Sequence, residues 1–449
     1  MEAKHKTPPV NIESDEFWNH IIRGNFGDFR YRPLSNTEWQ SALENRDPKG
    51  IRMYIHIGFC KGFCKYCAFT KHPWNPEKAE AYVEALKKEI EHYAGYIGGT
   101  RLLNVYIGGG TPSLLETHQI ESIIETIDNY FKIRGKIGIE GNPEDLTKDK
   151  IKDLAQIVDK ISIGVQTFND KYLKILARRH GSKRAQQAIA DAVSFFNDVN
   201  IDLMHTLPGQ TLEEWKEDLR TALQFDIPQL TVYPLIYIPY TRIYREIEQG
   251  KLPAPSRDDD KKMYFLSMDM LKEHGYNHVW MYAYLQQGKD PYLTTDIQLE
   301  KDHIGIGVAA SSSIGGYDLM NTHSLDEYIK CVSKKEKAVV LGRKIPDTEK
   351  MWRWFISRLC QFQFTKVDFR RKFGRDVEEC LGEAFHFMKN AGIFTDKGTL
   401  VKATKQGNYI INKLLIGFIQ NIFCLVAEEC RKKPRPEYIS IAELSGGEE

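Results

Sequence analysis

The sequence predicts an α/β fold in which a partial (βα)6 barrel is followed by a mainly α, winged-helix-like C-terminal domain. Between residues 53 and 235, short runs rich in β-branched residues alternate with longer amphipathic stretches. Such alternation is typical of a parallel sheet with helices on its outer side. From about residue 345 the pattern becomes helical, apart from one strand–turn–strand stretch, AGIFTDKGTLVKAT. A length of 449 residues is enough for two or three domains.

Six strands and the helices between them make up the predicted barrel. The strands are predicted at residues 53–57, 103–107, 136–141, 160–165, 200–204 and 229–233. The helices are predicted near residues 76–94, 117–131, 148–157, 170–177, 184–198 and 212–224. Pro76 suits the first turn of the first helix, where a backbone N–H is not needed. Because parallel strands end at one edge of a barrel, functional groups are expected at their C-terminal ends.

The chain divides into five predicted segments. An N-terminal extension is followed by the barrel, an extension of the barrel, a C-terminal domain and a flexible tail. Their predicted bounds are residues 1–50, 51–240, 241–344, 345–430 and 431–449. The stretch IGIGVAASSSIGGY, within the third segment, is rich in small residues and is predicted to be a flexible loop.

Composition and charge exclude several classes of function. The 62 Lys and Arg residues are balanced by 61 Asp and Glu residues, so no basic field indicates nucleic-acid binding. No apolar run reaches the roughly 18 residues of a transmembrane helix. The first residues, MEAKHKTPPV, lack the apolar core of a signal peptide. We therefore expect a cytoplasmic protein, in which thiols stay reduced.

Three cysteines, Cys60, Cys64 and Cys67, follow the first barrel strand in a C-x3-C-x2-C run. Three thiolates on one short loop can bind three irons of a four-iron cluster and leave the fourth iron open. A structural zinc site would need a fourth ligand at a second knuckle, and a disulfide would leave one cysteine over. A chance cluster of buried thiols is the remaining alternative. The other cysteines are scattered and are expected to be small buried hydrophobes.

Polar or glycine-rich groups stand at the ends of the following strands. Gly108–Gly110 follow the second strand, Glu140 ends the third and Gln166 ends the fourth. Consecutive glycines let the backbone approach a ligand closely, although a tight turn is the simpler explanation. A buried glutamate is costly without a partner, which is either a cationic ligand group, a lysine or a helix terminus.

The cysteine run, with its flanking sequences YIHIGFC and YCAF, resembles the cluster motif of radical S-adenosylmethionine (radical SAM) enzymes. Within them it is similar to the branch of oxygen-independent coproporphyrinogen oxidase. The resemblance implies that Cys60, Cys64 and Cys67 bind a [4Fe-4S] cluster whose open iron binds S-adenosylmethionine. One electron then cleaves that cofactor to a 5′-deoxyadenosyl radical. Gly58 departs from the family, which usually has proline there.

The resemblance also implies which residues contact S-adenosylmethionine. The glycines line the pocket of its amino group, Arg178 pairs with its carboxylate, and Asp202 accepts its ribose hydroxyls. Arg179 leaves the arginine assignment ambiguous by one residue. Met204 and Leu207 are expected to flank the adenine. The full set of predicted cofactor-binding residues is Tyr54, Phe69, Gly109, Gly110, Thr111, Glu140, Gln166, Arg178 and Asp202.

Tyr54 and His205 are the candidate catalytic residues. His205 replaces a position that is usually apolar in the family, and a structural role is the alternative. Phe69 stands where the oxidase has a fourth cysteine, so the chain resembles relatives of the oxidase more than the oxidase itself. Those relatives include a haem-trafficking protein and methyltransferases that use two S-adenosylmethionine molecules.

The resemblance implies a tetrapyrrole, either haem or a porphyrinogen, as the substrate. The stretches CAFTKHPWNPEKAEAY and HTLPGQT favour radical methyl transfer and ring opening of haem. Oxidase-like decarboxylation, haem carriage without turnover and menaquinone methylation stay open. Surface histidines would favour carriage, and the candidates for axial ligation are His56, His72, His205, His274, His278, His303 and His323.

No second cluster of cysteines accompanies the first one. An external one-electron donor, such as a flavodoxin or a ferredoxin, is therefore expected to reduce the cluster. A winged helix often indicates DNA binding, but the resemblance implies that the C-terminal domain covers the substrate.

Overall fold

The computed structural model describes residues 29–289, 302–418 and 424–444. The chain divides into two compact units. Residues 30–344 and 426–439 form the first unit, and residues 345–425 are the main part of the second. Most of the predicted N-terminal extension, residues 1–28, lies outside the described residues.

The six predicted barrel strands are all present in the first unit, which confirms them. They are β1 (Ile51–Ile57), β2 (Arg101–Gly109), β3 (Ile137–Gly141), β4 (Lys160–Gln166), β5 (Asp198–His205) and β6 (Gln229–Pro234). They pair in parallel in the order of the chain. Ile107 of β2 lies opposite both Ile55 of β1 and Ile139 of β3, so the strands end near one edge. The fold is therefore the open α/β barrel that the sequence predicts.

Helices connect these strands on the outside of the sheet. The helices of the first unit up to residue 248 are α1 (Asn36–Glu44), α2 (Pro76–Ile97), α3 (Thr117–Tyr130), α4 (Lys148–Leu154), α5 (Asp170–Ile175), α6 (Ser182–Phe195), α7 (Leu212–Ala222) and α8 (Arg242–Glu248). Helix α2 begins as predicted, because the Asn75 side chain accepts a hydrogen bond from the Lys78 N–H at 2.8 Å and Pro76 occupies the first turn.

The region after the barrel extends the sheet at both of its ends. After helix α9 (Arg257–Glu273), the strands are β7 (Tyr276–Trp280), β8 (Ala283–Gln286), β9 (His303–Ile306), β10 (Ser311–Ile314), β11 (Tyr317–Asn321) and β12 (Val339–Lys344), with α10 (Leu325–Ser333) before the last. Strand β8 pairs antiparallel with β6, and β9 pairs parallel with β1. Residues 290–301 lie outside the described residues.

The glycine- and serine-rich stretch is not the flexible loop that the sequence predicts. Its residues form β9 and β10, and the Ser312 hydroxyl accepts a hydrogen bond from the Gly305 N–H at 2.9 Å. A Cβ atom on Gly305 would lie 2.3 Å from the Ser311 carbonyl oxygen. The small residues therefore allow two chain segments to approach closely, and they do so within regular strands.

A buried carboxyl group joins helix α2 to the added strands. Glu89 accepts hydrogen bonds from the Gly307 N–H at 2.8 Å, the Asn321 side-chain amide at 2.9 Å and the Tyr328 hydroxyl at 2.6 Å. Burial raises the pKa of Glu89 to about 7 despite these donors. The network fixes β9 and β11 against the barrel, and it makes the stability of this unit depend on pH.

We expect Glu89 to stabilise the fold less as the pH rises. Because its pKa in the folded state is raised, its contribution is complete below the unfolded value of 4.5 and is lost as pH rises through about 7. The free energy of unfolding of the wild type minus that of Glu89→Gln should fall by on the order of 3 kcal/mol across this window. Chemical denaturation at several pH values measures it. If the difference between the two free energies does not change with pH, the pKa of Glu89 is not raised in the folded state.

The second unit contains helices and a small sheet, as the sequence predicts. Its elements are α11 (Asp347–Cys360), β13 (Gln363–Thr365), α12 (Lys366–Phe373), α13 (Val377–Asn390), β14 (Phe394–Lys397), β15 (Leu400–Ala403) and α14 (Lys405–Phe418). Strand β15 lies between β13 and β14, so the predicted strand–turn–strand is a hairpin. Phe355, Phe385 and Phe394 pack together in the core, with ring centroids 4.9 to 6.1 Å apart.

The last segment differs from the predicted tail. Helix α15 (Cys424–Lys432) follows residues 419–423, which lie outside the described residues, and α16 (Ile441–Leu444) ends the described chain. Residues 426–439 belong to the first unit, where Arg435 pairs with Glu327 at 2.6 Å. Long-range contacts of this kind order a polar segment in which composition alone indicated a flexible tail. Residues 445–449, the end of that predicted tail, are outside the described residues.

Candidate active site

The cysteine loop follows β1 and is closed by a short parallel pairing. Phe59–Cys60 pair with His72–Pro73, and the Trp74 N–H donates to the Cys60 carbonyl oxygen at 3.0 Å. At Gly58, where the family usually has proline, a Cβ atom would lie 2.7 Å from Val308 Cγ1. Glycine therefore fits the packing against Val308 in this chain, and the loop stem is fixed without the proline ring.

The three cysteines line one cavity at the C-terminal ends of the barrel strands. Cys60 is buried and Cys64 and Cys67 are half-buried, and all three are free thiols. Burial raises the pKa of the Cys60 thiol to about 11, although the Thr111 hydroxyl donates to its sulfur at 3.5 Å. A bound cation would be needed to hold this thiol as a thiolate at neutral pH.

The three thiols do not form the ligand set of a single metal ion. Among the described residues, no three His, Cys, Asp or Glu side chains lie close enough together to bind a single metal ion. A four-iron cluster does not require this, because each of three thiolates binds a different iron.

Two glycines bring the chain backbone against the first cysteine. Gly109 has a φ of +116°, and a Cβ atom there would lie 2.7 Å from the His56 ring. A Cβ atom on Gly110 would lie 3.1 Å from Cys60 Sγ and 2.6 Å from the Phe59 carbonyl oxygen. Because protein atoms already occupy these positions, no side chain fits there, and the glycines allow the backbone to approach Cys60 and His56 closely.

Glu140 lines the cavity beside these glycines, at the end of β3. It accepts hydrogen bonds from the Tyr106 hydroxyl at 2.5 Å and from the Gly109 N–H at 3.1 Å. Burial raises the pKa of this carboxyl group. Its partners in the protein are therefore a tyrosine and a backbone amide, and no lysine is among the hydrogen-bond donors to Glu140 within the described part of the chain. Tyr106, in the middle of an apolar strand, was not predicted.

A chain of polar contacts connects two of the cysteines. The Arg178 guanidinium donates to Cys64 Sγ at 3.4 Å, to the Asn142 side-chain oxygen at 2.7 Å and to the Gly164 carbonyl oxygen at 2.6 Å. The Asn142 amide in turn donates to the Thr111 hydroxyl at 3.0 Å, which contacts Cys60. The sequence predicted Arg178 and Thr111 but assigned no role to Asn142, which comes two residues after Glu140.

The geometry separates the two adjacent arginines. The Nε of Arg178 is buried and lacks a hydrogen-bond acceptor among the described residues, so it can serve a ligand in the cavity. Arg179 also lines the cavity, but its side chain lies against the cysteine loop, where a Cβ atom on Gly62 would be 2.8 Å from its Cδ. A planar guanidinium at the position of Arg178 suits a carboxylate.

Gln166 and Asp202 complete the lining that the sequence predicted. Gln166 adopts a φ of +72°, rare for a side chain of this kind, and its oxygen accepts a hydrogen bond from the Tyr233 hydroxyl at 2.7 Å. Asp202 accepts a hydrogen bond from the Asn200 amide at 2.9 Å. Burial, and secondly the charge of Glu140, raise the pKa of Asp202 to about 7. Tyr233, at the end of β6, is a lining residue to which the sequence gave no role.

Asp202 should make cofactor binding depend on pH. If its carboxylate accepts hydroxyl groups of S-adenosylmethionine, affinity should increase as pH rises through about 7, because deprotonation creates the stronger acceptor. Asp202→Asn should bind about tenfold more weakly at high pH and lose most of the dependence. Equilibrium binding across this pH range measures both. Equal pH profiles for the two proteins would exclude Asp202 as the contact.

The structure does not bring the two catalytic candidates to the cavity wall. Tyr54 lies deeper in the barrel, stacked on Tyr106 and 3.1 Å from His56 Nδ1. His205 is buried on the outer side of β5, where it contacts Thr206 at 2.7 Å and packs on Trp215. A catalytic role for either residue stays a prediction.

The residues predicted to flank adenine also lie away from the cavity lining. Met204 and Leu207 are buried in a cluster with Tyr172, Leu176 and Ile243. Phe69, in contrast, lines the cavity with 68% of its surface exposed. An apolar ring at the mouth is thus available to a flat ligand.

Comparison with known proteins shows to which family this chain belongs. Residues 54–222 match the family model of the radical SAM superfamily. Heme chaperone HemW of Lactococcus lactis is 30% identical over 375 residues, which cover 81% of this chain and 97% of that protein. The chain belongs to the radical SAM superfamily. Its relatives place it in the branch that contains HemW and anaerobilin synthase.

Other comparisons agree with this placement. Anaerobilin synthase of Escherichia coli O157:H7 is 26% identical, over 88% of this chain and 90% of that protein. The solved structure of coproporphyrinogen III oxidase (HemN) from Escherichia coli aligns with a TM-score of 0.76, over 86% of this chain and 94% of that one. At 22% sequence identity, that likeness shows the shared fold. None of the helices in the described ranges is long and apolar enough to cross a membrane.

Membership of this superfamily implies a [4Fe-4S] cluster and S-adenosylmethionine, and the cavity fits both. Three free thiols face it, the backbone at Gly109 and Gly110 lies close against Cys60 and His56, and the Arg178 Nε lacks an acceptor among the described residues. Glu140, Gln166 and Asp202 add oxygen atoms around the same cavity. Cationic and hydroxyl groups of the cofactor could satisfy them, which offsets the cost of burying these polar side chains.

Proposed function

We propose that this protein is a radical SAM enzyme that acts on a tetrapyrrole, and that its reaction is radical methyl transfer with ring opening of haem. When bound, the cluster supplies the electron that cleaves S-adenosylmethionine. The proposed roles of the chain's own residues follow from their contacts. Cys60, Cys64 and Cys67 hold the cluster, and Arg178 and Asp202 orient the cofactor by its carboxylate and ribose.

The complete cofactor cavity is the observation that carries the enzyme proposal. The buried arginine, whose Nε lacks an acceptor among the described residues, and the carboxylates at Glu140 and Asp202 are groups that a bound S-adenosylmethionine would satisfy. Each of these groups is costly to bury without a ligand. Their position around one cavity therefore supports binding of S-adenosylmethionine, which the proposed enzyme requires.

The likeness to anaerobilin synthase supports haem degradation in particular. That relative is 26% identical over 88% of this chain, whereas HemW of Lactococcus lactis is 30% identical over 81%. Methyl transfer of this kind would use two S-adenosylmethionine molecules, one as methyl donor and one as radical source. Phe69, exposed at the mouth, offers a face on which a flat macrocycle can stack.

Haem carriage without turnover is the second candidate, because several relatives are named heme chaperones. A surface rich in histidine would favour it. Of the seven histidines considered for axial ligation, His56, His205 and His323 are buried and only His274 is exposed. The His274 Nδ1 is already hydrogen-bonded to the Met270 carbonyl oxygen at 2.8 Å. These seven histidines therefore do not form the histidine-rich surface that would favour the carrier.

An anaerobic assay tests the proposal. Reconstituted protein is supplied with S-adenosylmethionine, haem and reduced flavodoxin, the class of external donor expected here, and the products are analysed by mass spectrometry. We expect a methylated, ring-opened tetrapyrrole together with 5′-deoxyadenosine and S-adenosylhomocysteine. Haem that binds but stays unaltered would favour the carrier. If haem neither binds nor reacts, the same assay is repeated with coproporphyrinogen and then with menaquinone. These substrates distinguish decarboxylation from quinone methylation.

A further inference from the structure

A single arginine near the end of the chain contacts the cysteine loop. Arg431 lies on α15, in the part of that helix that belongs to the same compact unit as the barrel. Its guanidinium donates to the Ala68 carbonyl oxygen and, through Nε, to the Thr70 hydroxyl at 3.2 Å. Ala68 directly follows Cys67. The contact therefore joins residues more than 360 positions apart at the third predicted cluster ligand.

The Arg431 guanidinium also donates to the Tyr240 hydroxyl at 3.4 Å, and its two acceptors on the loop are themselves fixed by other side chains. The Tyr240 hydroxyl also donates to the Ala68 carbonyl oxygen at 3.4 Å, and the guanidinium lies 4.7 Å from the centre of the Tyr240 ring. Thr70 Oγ1 lies 2.7 Å from His323 Nδ1. Because Thr70 accepts from Arg431, its own proton is available to His323. Burial, then the charge of Arg431, lower the pKa of His323 to about 3, so the ring is neutral and can accept.

The rest of the loop is held from a different side. The Lys65 N–H donates to the Leu176 carbonyl oxygen at 3.0 Å, and the Lys65 ammonium pairs with Glu246 at 2.7 Å. The short pairing at Cys60 fixes the beginning of the loop. These contacts hold the segment around Cys60 and Cys64. The segment at Cys67 is held by the Lys71 ammonium, which donates to the Cys67 carbonyl oxygen at 2.7 Å, and by the Arg431 contacts to Ala68 and Thr70. Without Arg431, the segment after Cys67 would lose the hydrogen bond that helix α15 donates to the Ala68 carbonyl oxygen.

We propose that Arg431 is a positioning residue for the iron–sulfur cluster, holding the Cys67 end of the loop in place and setting the local charge beside it. A guanidinium next to the loop favours the reduced cluster, which carries one more negative charge. Two bonds from one planar group also restrict how far Cys67 can move from its iron. The inference rests on the cluster and is independent of which substrate the enzyme uses.

The test compares full-length variants after anaerobic reconstitution. Arg431→Gln removes the charge and the two-point contact, and Arg431→Lys keeps the charge but not the planar fork. Arg435→Gln is the matched control, because Arg435 lies four residues on and pairs with Glu327 instead of the loop. Two quantities are measured: the rate at which a chelator removes iron, and the midpoint potential of the cluster followed by its electron paramagnetic resonance signal.

Arg431→Gln should release iron about tenfold faster than the wild type and have a lower midpoint potential. Arg431→Lys should release iron faster but keep a potential near that of the wild type, and Arg435→Gln should match the wild type in both. Unchanged values in Arg431→Gln, or equal effects in Arg435→Gln, would overturn the proposal. If Arg431→Gln does not fold, Thr70→Val replaces it: faster iron release at unchanged potential supports the proposal, and a wild-type rate overturns it.

Discussion

Replacing any one of Cys60, Cys64 and Cys67 by alanine is expected to abolish the cluster and reduce S-adenosylmethionine cleavage to the level of the apo-protein. The three thiols face one cavity, and the polar chain through Thr111, Asn142 and Arg178 touches two of them. A cluster held by only two thiolates loses a ligand that no other described cysteine is placed to supply. Iron and sulfide content and the release of 5′-deoxyadenosine measure the effect.

The matched control for these variants is Cys380→Ala. Cys380 is also a half-buried free thiol, but it lies on α13 in the other compact unit. It should retain the iron content and cleavage rate of the wild type. If a variant of the loop keeps a full cluster and its activity, or if Cys380→Ala loses them, the assignment of the ligands is wrong.

Arg178→Gln is expected to weaken S-adenosylmethionine binding by about ten- to a hundredfold. The guanidinium is buried, binds Asn142, Gly164 and Cys64, and keeps its Nε for a further acceptor. Losing a buried bond between charged groups costs about 1.5 to 3 kcal/mol, and the remaining carbonyl and amide oxygens lose their donor as well. Equilibrium binding of S-adenosylmethionine to the reconstituted protein measures the loss.

Arg179→Gln provides the comparison, because the sequence could not distinguish these adjacent residues. Arg179 lies against Gly62 and is not part of the polar chain between the cysteines. Its replacement should change the dissociation constant by no more than about threefold. A large effect of Arg179→Gln together with a small effect of Arg178→Gln would reverse the assignment.

The barrel and the cysteine loop could be predicted because their signals are local. Each strand is a short apolar run, and the three cysteines lie within eight residues of one another. Parallel strands then bring Gly109, Glu140 and Gln166 to one edge, although 57 residues separate the first from the last. Fold and cofactor cavity thus follow from short patterns and one topological rule.

His205 shows where strand geometry limits a motif-based assignment. Side chains alternate along a strand, so Asp202 and His205, three positions apart, face opposite sides of β5. Asp202 faces the cavity, and His205 packs against Trp215 of the outer helix α7. This alternation is visible in the sequence and would have argued against placing both residues in the site.

Other features could not be predicted because they depend on distant parts of the chain. Glu89 is buried by strands that come more than 200 residues later. No pattern in the sequence around Glu89 predicts that Asn321 and Tyr328 donate hydrogen bonds to it. Arg431 falls in a polar stretch whose composition is typical of a tail. Small residues in β9 and β10 have little tendency to form strands, and close packing between chain segments overrides it.

The most direct test of the account is electron paramagnetic resonance of the reconstituted, reduced protein with and without S-adenosylmethionine. A cluster held by Cys60, Cys64 and Cys67 has one iron open to the cofactor, so adding S-adenosylmethionine should change the signal of the reduced cluster. Arg178→Gln should require much more cofactor for the same change. A reduced cluster whose spectrum is identical with and without S-adenosylmethionine would contradict the central claim, which is that this cavity binds both the cluster and S-adenosylmethionine.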